Sequence, residues 1–313
     1  MTRYLASRFA GMAVVLLLVA TLVFFITRLA PGDPAAVMLG EQATAADIAQ
    51  LRASYGLDKP LPVQFVYWLT ELAHGHLGQS IFLQRPVTQA LWERAEPTLF
   101  LTLFAMTIAT LIGVPCGIVS AVWRGKAVDH VFAGFAMLGA SIPSFWFGLV
   151  LMQLFAVGLG WFPVAGYGDP GAPLADRMHH LVLPAFVLGV VNSALILRFT
   201  RASMLDVLGE DHIRTARAKG ASEARVILNH ALRNALIPII TVLGLTFALL
   251  VGGAIVTETV FGLPGIGNLV VSAVLRRDYP VIQGALLVIA GLYVLINLAI
   301  DLLYLLVDPR VTY

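Results

Sequence analysis

Residues 208–241 read LGEDHIRTARAKGASEARVILNHALRNALIPIIT, the longest polar interruption in the second half of an apolar chain. Within it Ile213, Ala216, Arg217 and Gly220 recur at i, i+3, i+4 and i+7. That spacing predicts a short helix over 211–219 with one narrow small or apolar face. Gly220 suits the left-handed position just past a helix end, where a side chain costs energy. Ser222 is placed to cap a second helix that starts at Glu223 and runs into the apolar stretch after Arg233. A helix, a glycine break and a helix that becomes a membrane span make a rigid elbow at a membrane surface. Such an elbow can pass force from outside the bilayer into it.

Composition sets the class around this stretch. Hydrophobic residues make up 59% of the 313 and charged residues 12%, with a mean hydropathy of +0.86. A water-soluble domain of this size needs more surface charge, so the chain reads as an all-α, polytopic membrane protein. The single cysteine, Cys116, lies in an apolar run, which excludes a disulfide framework and a cysteine-based metal site. Arg3 and Arg8 precede an apolar run that resembles a signal peptide. The run is too long and lacks a small-x-small cleavage site, so it reads as a retained signal-anchor span.

Six transmembrane helices are predicted, over 9–27, 98–123, 131–158, 181–197, 237–257 and 279–300. At about 1.5 Å per residue, runs of this size approach or exceed a hydrocarbon core of about 30 Å. PGDP at 31–34 ends the first. The second carries Gly113-x-x-x-Gly117, a spacing that lets two helix backbones approach closely, with Pro115 expected to bend it. The third is interrupted by Ser141-Ile142-Pro143-Ser144. Gly252 and Gly253 permit close packing or a break in the fifth, Glu258 lies at its outer end, and Pro264, Gly265 and Gly267 force an irregular turn. Between the first two spans, 31–97 form the only sizeable polar region. It holds a short helix over 45–55 after Thr44, and another starting after Pro60 and Pro62. That second helix puts Phe65, Trp68, Leu69 and Leu72 on one face and is expected at the membrane interface, with Trp68 in the aromatic belt. No linker divides the chain and no internal repeat is visible.

The Lys/Arg distribution sets the orientation. With the N-terminus inside, the inner segments hold Arg3, Arg8, Arg124, Lys126, Arg198, Arg201, Arg214, Arg217, Lys219, Arg225, Arg233 and Arg310. The two short outer loops hold only Arg177, Arg276 and Arg277, and the 31–97 loop is too long to count. The elbow and both termini are therefore expected on the cytoplasmic side.

Catalytic motifs are missing. Gly125-Lys126-Ala127 is the nearest approach to a Walker A loop and lacks its glycine spacing and its Ser/Thr. An ATPase powering this chain would be another polypeptide, docked on 208–234. No ionisable residue falls near the middle of a span, which argues against a proton- or sodium-driven carrier. The polar residues within spans, Gln153, Asn192 and Asn297, read as interhelical hydrogen-bond formers. His74, His76, His179 and His180 sit on outer loops in pairs too small for a metal site. HExxH and GxSxG are absent. A channel or carrier acting alone and a scaffold without transport are the readings from other classes; the scaffold leaves the polar elbow unexplained.

RTARAKG followed by HALRNALIP resembles the cytoplasmic "EAA" loop of bacterial ABC importer permeases, and most of all the dipeptide, oligopeptide and nickel branch. Arg214, Thr215 and Ala216 stand where Glu-Ala-Ala would be, and Gly220 is kept. His230, Ala231, Leu232 and Arg233 replace the Ile-x-Leu-Pro of the general pattern, with the proline displaced to Pro238. YGLDKPLPVQF, GHLGQS, Glu258, Phe261, Pro264, Gly265, Gly267, Asp278, Pro280, Gln283, and PGDP and DPR near the two ends also match that branch, so the resemblance covers nearly the whole chain. It implies a type I ABC importer transmembrane domain in the bacterial inner membrane. Residues 1–97 would be the first helix and extracytoplasmic loop, 98–308 the permease domain with a coupling loop at 202–235, and 309–313 a cytoplasmic tail. The implied partners are a second, homologous permease (a heterodimer), two ABC ATPase subunits that hold ATP and magnesium, and an extracytoplasmic solute-binding protein. No cofactor, metal or nucleic acid is implied for this chain. The implied cargo is peptide, with nickel or glutathione as the alternative. ATPase coupling would fall to Asp211, Ile213, Arg214, Thr215, Ala216, Arg217, Ala218, Lys219, Gly220 and Ala221. Ser141, Pro143, Asn192, Gly252, Gly253 and Glu258 are the candidates for the pathway or its gate.

Overall fold

The computed structural model describes residues 2–29, 34–39, 43–54, 56–169 and 171–307. Most of the PGDP turn, the motif at 308–310 and the tail after it lie outside those residues. The helices are α1 (Thr2–Leu29), α2 (Pro34–Leu39), α3 (Ala45–Ser54), α4 (Leu61–Ala73), α5 (Val87–Val122), α6 (Ala127–Ser141), α7 (Ser144–Leu151), α8 (Leu174–Leu208), α9 (Asp211–Ala218), α10 (Glu223–Arg225), α11 (Leu232–Val260), α12 (Ile266–Arg276) and α13 (Tyr279–Val307). Two π-helical stretches, Met152–Gly158 and Val226–Ala231, extend α7 and join α10 to α11. No strand forms among the described residues. Among the described residues five helices are long and apolar enough to cross a membrane, and there are six spans if the bent pair of α6 and α7 with its π-helical extension counts as one.

The third span is not a single rod. The axes of its two halves differ by 101°. Pro143 is the cause: Ile142 before it is extended (φ −86°, ψ 123°), as the residue preceding a proline prefers. By contrast α5 stays one helix through Pro97 and Pro115. The irregular turn at Pro264–Gly265 is brief, and an unpredicted helix, α12, follows it. Leu269, Val270 and Ala273 form its buried face.

Two compact units divide the chain. The first comprises Met1–Glu96 and Pro264–Val294. Thr44 and Asp47 cap α3 reciprocally: each backbone N–H donates to the other's side chain, at 3.1 and 3.3 Å. The Thr44 hydroxyl, donating to the Asp47 carboxylate at 2.6 Å, and then the Thr44 amide hold that carboxyl below its usual range. Pro62 sits inside the first turn of α4, one residue after the helix starts at Leu61. The apolar stripe of α4 packs on α1. Phe24 of α1 contacts Phe65 (5.1 Å between ring centroids) and Trp68 (5.5 Å), so Trp68 packs on protein.

The loop after α4 is tied down by one carboxylate. Asp278 accepts hydrogen bonds from the Ser80 hydroxyl and from the Ile81 and Phe82 amides, both at 3.2 Å. Bonds to a buried charged acceptor are worth about 1.5–3 kcal/mol each. Gln283 donates to Thr27 Oγ1 at 2.9 Å, joining α13 to α1.

The second unit comprises Pro97–Leu263 and Leu295–Tyr313, with α8 at its centre. Gly113 and Gly117 bring α5 onto α8. A Cβ at Gly113 would lie 2.7 Å from Ile196 Cβ, and one at Gly117 2.6 Å from Thr200 Cβ. The small-xxx-small pair therefore packs helices within this chain. Gly252 and Gly253 do not pack in this way. A Cβ at Gly252 would meet nothing within 4 Å, one at Gly253 would come no closer than 3.9 Å to Leu188, and α11 is unbroken through both. The close contact on α11 is at Gly244, against the Ile300 side chain. The expected interhelical bond of Asn192 is also absent: its amide donates to the Leu188 carbonyl of its own helix at 2.8 Å. Gln153 and Asn297 are both exposed on the chain.

Candidate functional site

The elbow is built from local rules. α9 ends at Ala218, and Gly220 follows at φ +79°. The Ala221 amide reaches back to the Ala216 carbonyl (3.2 Å) and the Gly220 amide to the Arg217 carbonyl (2.9 Å). This pair of bonds is the Schellman closure, and Ala216 and Ala221, at the positions of its apolar pair, both pack against the cluster that holds Ile213. Arg217 and Glu223 then bridge the break with a two-pronged pair, at 2.8 and 3.2 Å. Ser222 occupies the cap position of α10 with extended backbone (φ −65°, ψ 147°) but makes no side-chain cap bond. The Glu223 carboxylate, one residue on, is taken by Arg217.

The inward face of α9 is narrower than its spacing suggests. Ile213 is fully buried and packs with Met204, Val207, Val226, Ala231 and Ala235. Ala216 is half-buried, but Arg217 and Gly220 are exposed. The helix has ended by Gly220, so the i+7 position no longer follows its face. Asp211, Arg214, Thr215, Ala218 and Lys219 are exposed too. Asn234 links the first turn of α11 to α9 by standing 3.1 Å from His212 Nε2. An exposed polar surface thus rides on one buried isoleucine and is locked to the start of a 29-residue span.

The six pathway candidates are spread along the second unit. Ser141 ends α6, its hydroxyl donating to the Met137 carbonyl at 2.8 Å, and Pro143 holds the N-cap position before α7. Gly253 faces Leu188, whose carbonyl Asn192 holds. Gly252 lies on the open face of α11 together with Thr241, Leu245, Leu249, Val256 and Thr259. Glu258 is fully buried and accepts a hydrogen bond from Thr98 on α5. His179 and His180 each stand 3.1 Å from a carbonyl of the loop after α7, Trp161 and Gly166 respectively.

One constellation escaped the sequence reading. Asp129, in the first turn of α6, is 4% exposed. It pairs with Arg201 of α8 through both carboxylate oxygens (2.7 and 2.8 Å) and accepts from the Ser120 hydroxyl (2.6 Å) and the Gly125 amide (2.9 Å). Arg201 counts in the sequence only as one positive charge among many. A lone acidic residue in the basic segment after the second span was the available signal.

A multi-pass helical membrane protein with a locked, exposed elbow is the class that this fold and site define. The family model described as "Binding-protein-dependent transport system inner membrane component" matches residues 113–313, and the N-terminal model of the same systems matches residues 1–102. The chain belongs to this family of transport-system membrane components. It is 47% identical over 311 residues to a probable peptide ABC transporter permease protein of Sinorhizobium fredii, covering 99% of both chains. It is also 47% identical over 313 residues to the glutathione transport system permease protein GsiC of Pectobacterium atrosepticum, covering both completely. Among solved structures, an inward-facing MetNI methionine ABC transporter chain superposes with a TM-score of 0.58 at 21% identity, covering 70% of this chain and 97% of that one. The fold is that of a type I ABC importer membrane domain.

Proposed function

We propose that this chain is the non-catalytic permease subunit of an ATP-driven importer and forms half of a translocation pathway for peptides. The observation that carries the reading is the elbow: a polar surface held rigid by its own closure and joined directly to a membrane span. Family membership and the peptide and glutathione permeases at 47% identity support the transport reading. Glutathione is itself a small peptide, so the same machinery serves either cargo.

The proposed assembly has a second, homologous permease, two ATPase subunits carrying ATP and magnesium, and a solute-binding protein. The exposed side chains from Asp211 to Ala221 meet the ATPase, and Ile213 anchors them. ATP-driven closure of the ATPases pushes the elbow, which moves α8 and α11 as a body and alternates access to the pathway. Ser141 and Pro143 serve as the hinge of the broken span. Gly252 and its open stripe on α11 offer a wall to the lumen, Gly253 and Asn192 lie beside it at Leu188 of α8, and Glu258 is a strut to Thr98 beside the gate. Tagging this chain should recover one other permease and two ATPase copies per pair. Substrate-coupled ATPase activity from this permease and the ATPase alone would defeat the heterodimer.

Charge asymmetry supports an inner-membrane topology with the elbow and both termini cytoplasmic. A cysteine at Gln50, which is exposed on α3, is expected to react from outside intact cells with an impermeant thiol reagent in a Cys116→Ser background. Labelling only after lysis would reverse the topology.

A further inference from the structure

We infer that Asp129 and Arg201 form a latch that makes α6 follow α8, so that movement of the elbow reaches the broken span. The inference rests on the elbow being the input site. α8 ends at Leu208, about two turns after Arg201, and its last turns carry Met204 and Val207, which pack on Ile213 and Val226 of the elbow. Arg201 thus sits on the same rigid helix as the elbow's support. Its partner starts α6, which runs to the break at Ser141.

The rest of the α6–α8 contact is apolar. Ala136 packs with Ala194 and Leu197, Phe132 and Phe135 of α6 pack against the same cluster, and Gly139 lies close to Ala194. Apolar burial is non-directional, whereas a two-pronged guanidinium–carboxylate pair fixes one register. Asp129 is buried while the Arg201 side chain is 32% exposed, so the pair adds little stability of its own, and the best-attested use of such a pair is to set register or a switch. Asp129 also holds Ser120 at the end of α5 and the Gly125 amide in the turn. One carboxylate therefore gathers α5, the α5–α6 turn, α6 and α8. Asp129 and Arg201 are positioning residues, acting on the pathway through the helices they join.

The test uses the complete transporter in proteoliposomes, with binding protein and peptide. Asp129→Asn keeps the shape and loses the charge; Arg201→Lys keeps the charge and loses the fork. Both are expected to assemble normally and to hydrolyse ATP, while peptide imported per ATP falls about tenfold. In parallel, spin labels at Val131 and Phe199, both exposed, report the α6–α8 distance in a Cys116→Ser background. That distance should stay constant between nucleotide-free and ATP-trapped states, and should change once Asp129→Asn is introduced. An α6–α8 distance that changes between the states with Asp129 intact overturns the latch, even if the variants fail to fold. Transport and ATP hydrolysis falling together with the amount of assembled complex would reduce the pair to a structural role, and unchanged coupling would remove it altogether. Gly220→Val separates the two readings. If it keeps full transport, the elbow is not the input; if it loses transport while Asp129→Asn does not, only the latch fails.

Discussion

Gly117→Leu is expected to abolish recovery of folded protein. A Cβ at Gly117 would sit 2.6 Å from Thr200 Cβ and 2.8 Å from the Leu197 carbonyl oxygen. Neither obstacle is the far end of a flexible side chain, so α5 and α8 would have to part. In a bilayer the lipid tails are as apolar as leucine, and close backbone packing is a principal force holding such helices together. Gly117→Ala already overfills the contact and should cost about 1–3 kcal/mol. Leucine adds three more carbons with nowhere to go. The measurement is the monodisperse fraction after detergent extraction, with thermal unfolding of whatever survives. Gly134→Leu is the control, because nothing lies within 4 Å of a Cβ there, and it should behave as wild type. Wild-type yield and melting for Gly117→Leu would contradict the α5–α8 packing.

What the sequence made legible was local. The elbow's first helix, its end at a left-handed glycine and the restart at Glu223 depend on neighbours within a few positions, and the residues alone predict them. The six apolar runs are equally local, since length and hydropathy decide them. Proline is where reading from the chain runs out. Pro115 leaves α5 one helix, whereas Pro143 turns the third span by 101°. What is observed is that Ile142 leaves the helical region before Pro143 while the chain before Pro115 stays helical, a choice that no local pattern records. α12 was hidden because GLPGIG reads as a turn, although its apolar face has helical spacing. Asp129 meets Arg201 across 72 positions and Ser80 meets Asp278 across 198. Such pairings follow from how helices pack; the sequence marks at most one member, as it does with Asp129, a lone acid in a basic segment, and never the partner.

Gly220→Val should lose transport by about tenfold or more while the protein still inserts and its spans pack normally. Gly220 contrasts with Gly117 in its physics. A Cβ at Gly220 would meet nothing within 4 Å, so space is not the obstacle. The obstacle is φ +79°, which costs an L-residue roughly 1–2 kcal/mol and a β-branched one more. The valine chain escapes that cost by releasing the turn, which breaks the bonds from Ala221 to Ala216 and from Gly220 to Arg217. The exposed face of α9 then loses its fixed angle to α11, and a push from outside is absorbed by a loose joint. Uptake should fall, and less ATPase should copurify with the tagged chain. Gly220→Asn discriminates, because asparagine visits the left-handed region far more readily. It should keep most of the transport that valine loses. Equal failure of both variants would show that backbone conformation is not what Gly220 supplies. Full transport with valine would show that the elbow does not carry the drive.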